Sequence, residues 1–216
     1  MERQLQITGK GKLAIAPDII IISFNAEAHE WEYEKTISSL NNKVEELRTT
    51  IENEGVARKS LKTKDFSIRK ETTWNKKTEK YEFNGFKASH SLELELPIEK
   101  NIINSLLGQI AKNLDSLDFG ITFGVKEAEK HQQQLILRAI DKAKENASLI
   151  SVATGVELKE ILNIDYSFRE ITIRSEQYNY PMYKSDMLME TANATPDFEP
   201  DDIDVTETIT VTWRIA

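Results

Sequence analysis

The stretch ITGKGKLAIAPDIIIISF (residues 7–24) contains glycines at a spacing that could hold a phosphate. A P-loop requires G-x-x-x-x-G-K-[ST], and here the Gly11-Lys12 pair is followed by leucine, so that motif is absent. The dinucleotide pattern G-x-G-x-x-G/A is matched by Gly9, Gly11 and Ala14, but it functions only where a helix begins and its amides face the pyrophosphate. The following proline and isoleucine run predict another strand. We therefore expect the glycines to form a bulge or bend in a first strand.

Histidines and carboxylates show no metal-ligand spacing. The three histidines fall in three predicted elements without an H-x-x-x-H or H-E-x-x-H pattern. They are His29, His90 and His131. The stretch DFEPDDID (197–204) resembles a calcium-binding loop only in its density of carboxylates. The sixth and twelfth positions of such a loop require Gly and Glu, and here they hold Asp202 and Thr208. We expect a solvated acidic loop, with no metal and no cofactor.

Nucleophilic catalysis has little support in the sequence. The chain contains no cysteine, which excludes thiolate nucleophiles, redox dithiols and Cys-ligated zinc. No G-x-S-x-G elbow is present, although a Ser-His-Asp triad can converge from distant positions. We name no catalytic residue and expect a protein that is not an enzyme.

The charge of the chain is concentrated near its C-terminal end. The net charge is −8, and residues 185–213 hold eight acidic residues and no Lys or Arg, which leaves 28 acidic and 28 basic residues elsewhere. Nucleic-acid binding is not expected, because no basic cluster stands out. The longest apolar run, Ile19–Ile22, is too short for a membrane span. The polar start MERQLQITGKG lacks a signal sequence, so we expect a cytoplasmic protein, although a trimmed exported protein would look the same.

Hydrophobic periodicity predicts an α+β fold in which three helices pack on antiparallel sheets built from long hairpins. The predicted strands are 3–15, 19–29, 60–74, 80–96, 117–125, 156–168 and 202–215, and the predicted helices are 34–54, 98–113 and 127–154. The last helix carries alanines at 139, 143 and 147 on one stripe, a spacing that allows close approach to a sheet.

A long acidic loop of little regular period is predicted at about 170–202, where a functional or partly disordered segment is expected. Its aromatic and methionine side chains suit either internal anchoring or an adaptable contact with a partner. These candidate contact residues are Tyr178, Tyr180, Met182, Tyr183, Met187 and Met189. Our leading hypothesis is a self-associating protein whose partner surface lies on this loop and on the hairpin tips.

Several segments, in their order and spacing, are similar to the SIMPL-domain family, which includes bacterial periplasmic immunogenic and oxidative-stress-defence proteins. The opening ITGKGKLAIAPDIIIISF resembles the family's I-x-G-x-G-x-x-x-x-x-P-D followed by an apolar strand. TKDFSIRKE and NGFKASHSLELEL are similar to its next two strands, and RAIDKAKENASLISVATGVELKEILNI to its alanine-rich helix running into a strand. The resemblance covers Ile7 to Ile215, apart from the segment near 170–202.

The resemblance implies one α+β domain over residues 1–216, with room for two lobes, that assembles into rings or other homo-oligomers. It implies roles in stress protection or adaptor-like signalling, and no established active site. Many bacterial members carry a signal peptide, and none is visible here. An alternative hypothesis stays open, namely a small-molecule-binding protein or undiscovered enzyme with a cleft near the acidic loop.

Overall fold

The computed structural model describes residues 3–113, 117–167, 171–175, 178–179 and 199–216. The strands in this part of the chain are β1 (Gln4–Ile15), β2 (Ile19–Glu30), β3 (Leu61–Asn75), β4 (Lys80–Pro97), β5 (Leu117–Gly124), β6 (Leu158–Asp165), β7 (Tyr178–Asn179) and β8 (Ile203–Ile215). The helices are α1 (Tyr33–Asn53), α2 (Lys100–Asn113) and α3 (Ala128–Thr154). The two sheets are antiparallel, which confirms the predicted α+β fold, and element ends differ from the predicted ones by a few residues.

The chain divides into two compact units. The first unit contains residues 1–18, 124–175 and 200–216, and its three-stranded sheet has the order β1-β8-β6. The second unit contains residues 19–123 and 176–199, and its five-stranded sheet has the order β3-β4-β2-β5-β7. Each unit has a hydrophobic core of its own.

The core of the second unit lies between its sheet and helices α1 and α2. Alternate residues of β2, including Ile22 and Phe24, are buried against apolar residues of the helices such as Leu47 and Leu106. Strand β4 accordingly alternates apolar and polar residues from Leu92 to Leu96, whereas β2 begins with the run Ile19–Ile22, which is buried on both faces. The polar face of the sheet contributes to the cavity described below.

In the first unit, β1 and β8 form an uninterrupted antiparallel pair, although they come from opposite ends of the sequence. The register runs from Gln4 opposite Arg214 to Ile15 opposite Ile203 without a shift. The expected bulge at the glycines is therefore absent. The expectation that no helix begins there is confirmed, because β1 continues through both glycines to Ile15.

The glycines allow the backbone of β1 to approach the backbone of α3. A Cβ atom added to Gly9 would lie 2.0 Å from the carbonyl oxygen of Ala139 and 2.8 Å from the Cβ of Ala143. One added to Gly11 would lie 2.2 Å from the carbonyl oxygen of Leu135. Neither glycine has a positive φ, so what requires glycine here is the short distance to the helix rather than a special backbone conformation.

The alanine stripe of α3 forms the other half of this contact. Ala139, Ala143 and Ala147 are fully buried and pack with Val211 and Trp213 of β8. The side chain of alanine is a single methyl group, so the helix can lie close to the sheet. Unlike glycine, alanine also has a high helix propensity. The predicted close approach of the alanine row is confirmed.

Part of the predicted loop at 170–202 is attached to β5. Tyr178 and Asn179 form the short strand β7, which pairs with Ile121 and Gly120. Ile173 is buried in a cluster of the first unit, and its carbonyl accepts a hydrogen bond of 3.2 Å from the amide of Val125. Tyr178 and Asn179 are therefore in a regular strand and Ile173 is in irregular backbone, while most of the segment lies outside the described residues.

His90 of β4 lies on the helix-facing side of the second unit's sheet. Its Nε2 lies 2.8 Å from the hydroxyl of Thr63, its ring contacts Phe66 edge-on, and its Nδ1 is buried with no hydrogen-bond partner among the described residues. Burial, and secondarily the positive charge of Arg48, lower the pKa of His90 below its ordinary value. The folded state therefore disfavours the imidazolium form.

The glycine–helix contact leads to a stability prediction. We expect Gly9→Ala to lower the free energy of unfolding by about 3 kcal/mol, because the added methyl overlaps helix backbone that cannot move alone. Gly108→Ala is the matched control, because among the described residues no atom lies within 4 Å of the place where a Cβ of residue 108 in α2 would be. This substitution should raise the free energy of unfolding by about 0.5–1 kcal/mol. Urea denaturation measures both, and a Gly9→Ala protein as stable as the parent would contradict the close contact.

His90 leads to a prediction about pH. Because the folded pKa lies below the ordinary value of 6.5, the unfolded chain binds more protons as the pH falls below 6.5. The stabilisation that neutral His90 provides is present above that pH and is lost as the pH falls towards the folded pKa. We expect the fall in unfolding free energy between pH 7.5 and 5.5 to be smaller in His90→Gln, which keeps His29 and His131. If the unfolding free energy had the same pH dependence in both proteins, folding would not lower the pKa of His90.

Candidate functional site

The contact residues predicted from the sequence lie largely beyond the described part of the chain. Tyr178 is in β7, where its backbone pairs with Ile121. Tyr180, Met182, Tyr183, Met187 and Met189 lie outside the described residues. Whether these six residues lie together is therefore not tested, and their role as a partner contact stays a prediction.

The other candidate chemistries can be compared with the described residues. The histidines lie in β2, β4 and α3. Among the residues described, no group of three or more His, Cys, Asp or Glu side chains could hold a metal ion. Within the same residues, none of the helices combines the length and apolar character that crossing a bilayer requires.

The hairpin β3–β4 extends beyond its neighbouring strand as a two-stranded ribbon. The pairing of β2 with β4 ends at Glu30 opposite Phe86. From Phe83 to Lys80, strand β4 pairs with β3 alone among the described strands. A ribbon of two strands is only marginally stable by itself, so side-chain contacts must hold it.

A bulge marks the point where the ribbon leaves the sheet. The register of β3 and β4 shifts between Lys70 and Thr72, and Gly85 has φ of +99°. A side chain at Gly85 would meet the carbonyl oxygen of Glu30 at 2.6 Å. The Nε2 of His29 lies 2.6 Å from the carbonyl oxygen of Asn84 and therefore donates to it. His29 thus joins β2 to the bulged backbone.

The turn at the end of the ribbon is held by hydrogen bonds to Glu82. Its carboxylate accepts hydrogen bonds from the side-chain amide Nδ2 of Asn75 at 2.9 Å and from the hydroxyl of Thr78 at 2.8 Å. These two bonds lower the pKa of Glu82 below its ordinary value. The backbone amide of Lys77 also donates to the side-chain oxygen of Asn75 at 2.9 Å, which closes an Asx turn.

Five aromatic side chains are exposed on and beside the ribbon. We call them the aromatic tip: Trp31, Tyr33, Trp74, Tyr81 and Phe83. Their exposed fractions range from 45% to 72%. Monomeric proteins seldom expose a contiguous apolar patch of this kind, and Trp and Tyr are the residues most often found at the centres of interfaces.

Each side chain of the aromatic tip contacts another aromatic ring, and these contacts form two groups. Trp74 lies opposite Tyr81 in the ribbon, and their ring centroids are 5.1 Å apart. Phe83 follows two residues after Tyr81, hence on the same face of the ribbon, and lies 5.9 Å from Trp31. Phe86 links Phe83 to Tyr33 at 5.4 and 5.8 Å. Edge-to-face contacts of this geometry restrict side-chain motion, so little rotamer entropy remains to be lost on binding.

Basic residues accompany the aromatic tip. Residues 61–80, which contain β3 and the turn, hold seven basic and three acidic side chains, a net charge of +4. The basic residues are Lys62, Lys64, Arg69, Lys70, Lys76, Lys77 and Lys80. Strand β3 is an edge strand, with β4 as its neighbour in the described sheet, and lysines on an edge discourage pairing with a like-charged edge.

A second feature of the same unit is a cavity of about 360 Å³ on the strands β2, β3, β4 and β5. Its polar lining residues are Ser23, Asn25, Lys64, Ser91, Glu93 and Asp118. The side chain of Glu93 is only 8% exposed, and its carboxylate lies 2.7 Å from the Nζ of Lys64. A buried carboxylate is tolerated because a cation compensates it.

Local irregularity of β3 positions Lys64 over this carboxylate. The register of β3 and β4 shifts between Thr63 and Asp65, which leaves Lys64 as the extra residue of a bulge. Bulges of this kind redirect a side chain and often lie beside functional sites. Beyond this pair, the side-chain oxygen of Asn25 accepts hydrogen bonds from the hydroxyls of Ser89 and Ser91 at 2.9 and 3.4 Å.

Neither feature was assigned from the sequence at the level of residues. Hairpin tips were expected to hold a partner surface, but the aromatic residues were not singled out. A usable signal was present in TTWNKKTEKYEF, where Trp74, Tyr81 and Phe83 share one face of the predicted hairpin end. No comparable signal marks the cavity, because its lining comes from four strands whose pairing and bulge are set by the fold.

Comparison with known proteins gives one family. Among curated proteins, none is similar enough in sequence to match the chain. A family model named SIMPL, described as a protein of unknown function (DUF541), matches residues 5–213. This match covers nearly all of the chain, from β1 to the penultimate residues of β8. The resemblance found in the sequence is therefore confirmed, and the chain belongs to the SIMPL family.

Proposed function

We propose that the protein is a non-enzymatic, self-associating protein, and that the aromatic tip is its contact with a second copy of the chain. The observation that supports this proposal is the set of five exposed aromatic side chains, fixed in edge-to-face contact on a hydrogen-bonded ribbon. The family resemblance implies homo-oligomers linked to stress responses, and we adopt that setting as part of the proposal.

The area of the aromatic tip suits a protein interface. An aromatic side chain buries about 150–250 Å² when it is fully covered, so five that are half exposed would add roughly 500 Å². A stable interface takes about 800 Å² from each partner, so the aromatic tip would form most of one side. The neighbouring basic residues would supply the polar rim.

Charge favours a second copy of the chain as the partner. Strand β3 and the turn beside the aromatic tip are basic, with a net charge of +4 over residues 61–80. The same chain has eight acidic residues and no basic ones over residues 185–213. A chain that carries both a basic aromatic surface and an acidic segment can provide both sides of one complementary interface.

Self-association can be measured by light scattering at micromolar concentration. We expect the parent protein to have a mass well above 24.7 kDa, and both Trp74→Ser/Tyr81→Ser and Trp31→Ser to shift the mass towards that of one chain. The matched control is Leu149→Ser/Val152→Ser, which removes two exposed apolar side chains from α3 and should leave the mass unchanged. A monomeric parent, or tip variants that assemble like the parent, would refute the proposal.

A second candidate function is supported by the cavity beside Glu93. Its lining holds one cation and two carboxylates, hence a net charge of −1, together with two hydroxyls and one amide. Its volume of about 360 Å³ fits a small polar molecule. The composition favours a hydroxylated ligand that carries a positive group, such as an amino sugar.

Thermal shift tests this second candidate with glucosamine and its neutral N-acetyl counterpart as probes. At about ten times the dissociation constant, glucosamine should raise the melting temperature by a few degrees. N-acetylglucosamine should raise it less, and Asp118→Asn should reduce the glucosamine shift. Asp141→Asn on α3 is the matched control and should keep the shift. No shift with glucosamine, or an equal shift in Asp118→Asn, would reject a ligand of this class in the cavity.

A further inference from the structure

We infer that the aromatic tip binds the acidic segment at residues 199–207 of a second copy, so that the copies associate head to tail. This inference rests on the proposed self-association and specifies its geometry. The acidic segment contains five acidic residues and no Lys or Arg, a net charge of −5. They are Glu199, Asp201, Asp202, Asp204 and Glu207.

The acidic segment is available for contact along most of its length. Glu199, Asp201, Asp202 and Asp204 are exposed, and Glu207 is half-buried. The segment enters β8, whose first residues pair with the end of β1, and Asp204 lies opposite Ala14. The pairing fixes the backbone of the last acidic residues, so their carboxylates are presented from a defined strand rather than from a free chain.

Electrostatics discriminates between the two ways in which copies could meet. If the aromatic tips of two copies packed against each other, two ribbons would be brought together whose residues 72–83 each hold three lysines and two glutamates, a net charge of +1. Like charges across an interface disfavour such a pair. A contact between the aromatic tip and the acidic segment instead places a ribbon with a net charge of +1 opposite a segment with a net charge of −5. The second arrangement is therefore the one that the charge distribution selects.

Aromatic and charged residues have different tasks in this contact. Exposed ion pairs add little affinity each, because water and salt screen them, but they steer the approach and fix its orientation. Buried aromatic residues supply most of the affinity. Lys76, Lys77 and Lys80 are exposed beside the turn of the ribbon, next to Trp74 and Tyr81, and are placed to orient the acidic segment over the rings.

A head-to-tail contact uses two different surfaces of each copy. Every copy then offers one aromatic tip and one acidic segment, so the association continues until a ring closes or grows as an open chain. A tip-to-tip contact would stop at a dimer. The two geometries consequently respond differently to charge reversal, which makes them separable by experiment.

Charge reversal on each side, alone and combined, tests the inference. The tip variant is Lys76→Glu/Lys77→Glu/Lys80→Glu, and the segment variant is Glu199→Lys/Asp201→Lys/Asp202→Lys, with all six positions exposed. Each variant alone should assemble at least tenfold more weakly than the parent by light scattering. A single chain with all six substitutions should recover assembly, because the opposite charges are restored in exchanged positions.

The control and the alternative outcomes decide between the models. Lys130→Glu/Lys142→Glu/Lys144→Glu changes the net charge by the same amount on exposed residues of α3 and should assemble like the parent. Circular dichroism checks that each variant folds. If the segment variant assembles like the parent, or the six-fold variant stays monomeric, the head-to-tail contact is wrong. A monomeric parent would instead reject self-association itself.

Discussion

Helix α3 rests on strand β1 with no side chain between their backbones at Gly9 and Gly11. This contact constrains the first unit from both sides, since the strand must lack side chains where the helix must present alanine. The strand in turn pairs along its whole length with β8, whose apolar face completes the same core. Because atoms this close leave no room for adjustment, the position of the helix determines where the rest of the first unit packs.

The order of elements in the SIMPL chain could be predicted because its periodicities are strong. Alternation in β8 and the three- and four-residue spacing in α1 identified these elements to within a few residues. The glycines were correctly placed in a strand, but they were taken for a bend. Their purpose is set by Leu135 and Ala139, more than a hundred residues away, and local sequence carries no information about that distance. The role of the two glycines is therefore set by a tertiary contact, which local sequence propensity does not predict.

The candidate site shows the same limit more clearly. Sequence reasoning weighted the tyrosines and methionines near 178–189, of which Tyr178 alone is among the described residues. The hairpin pattern could have paired Trp74 with Tyr81, but not Trp31 with Phe83, because Trp31 lies at the end of another strand. The bulge at Lys64 was equally invisible, since one extra residue in a strand leaves no mark on its composition.

The two units differ in how far apart in the sequence their residues lie. Most of the second unit is one continuous stretch, residues 19–123, whereas the first unit draws on three separate stretches. Thr8 and Thr210, whose hydroxyls lie 2.8 Å apart across β1 and β8, are 202 positions apart in the sequence. On the ribosome, β1 therefore emerges about 200 residues before its partner strand β8 exists. A chaperone or the ribosome surface that shields this early strand would meet a polypeptide whose second unit can already have folded.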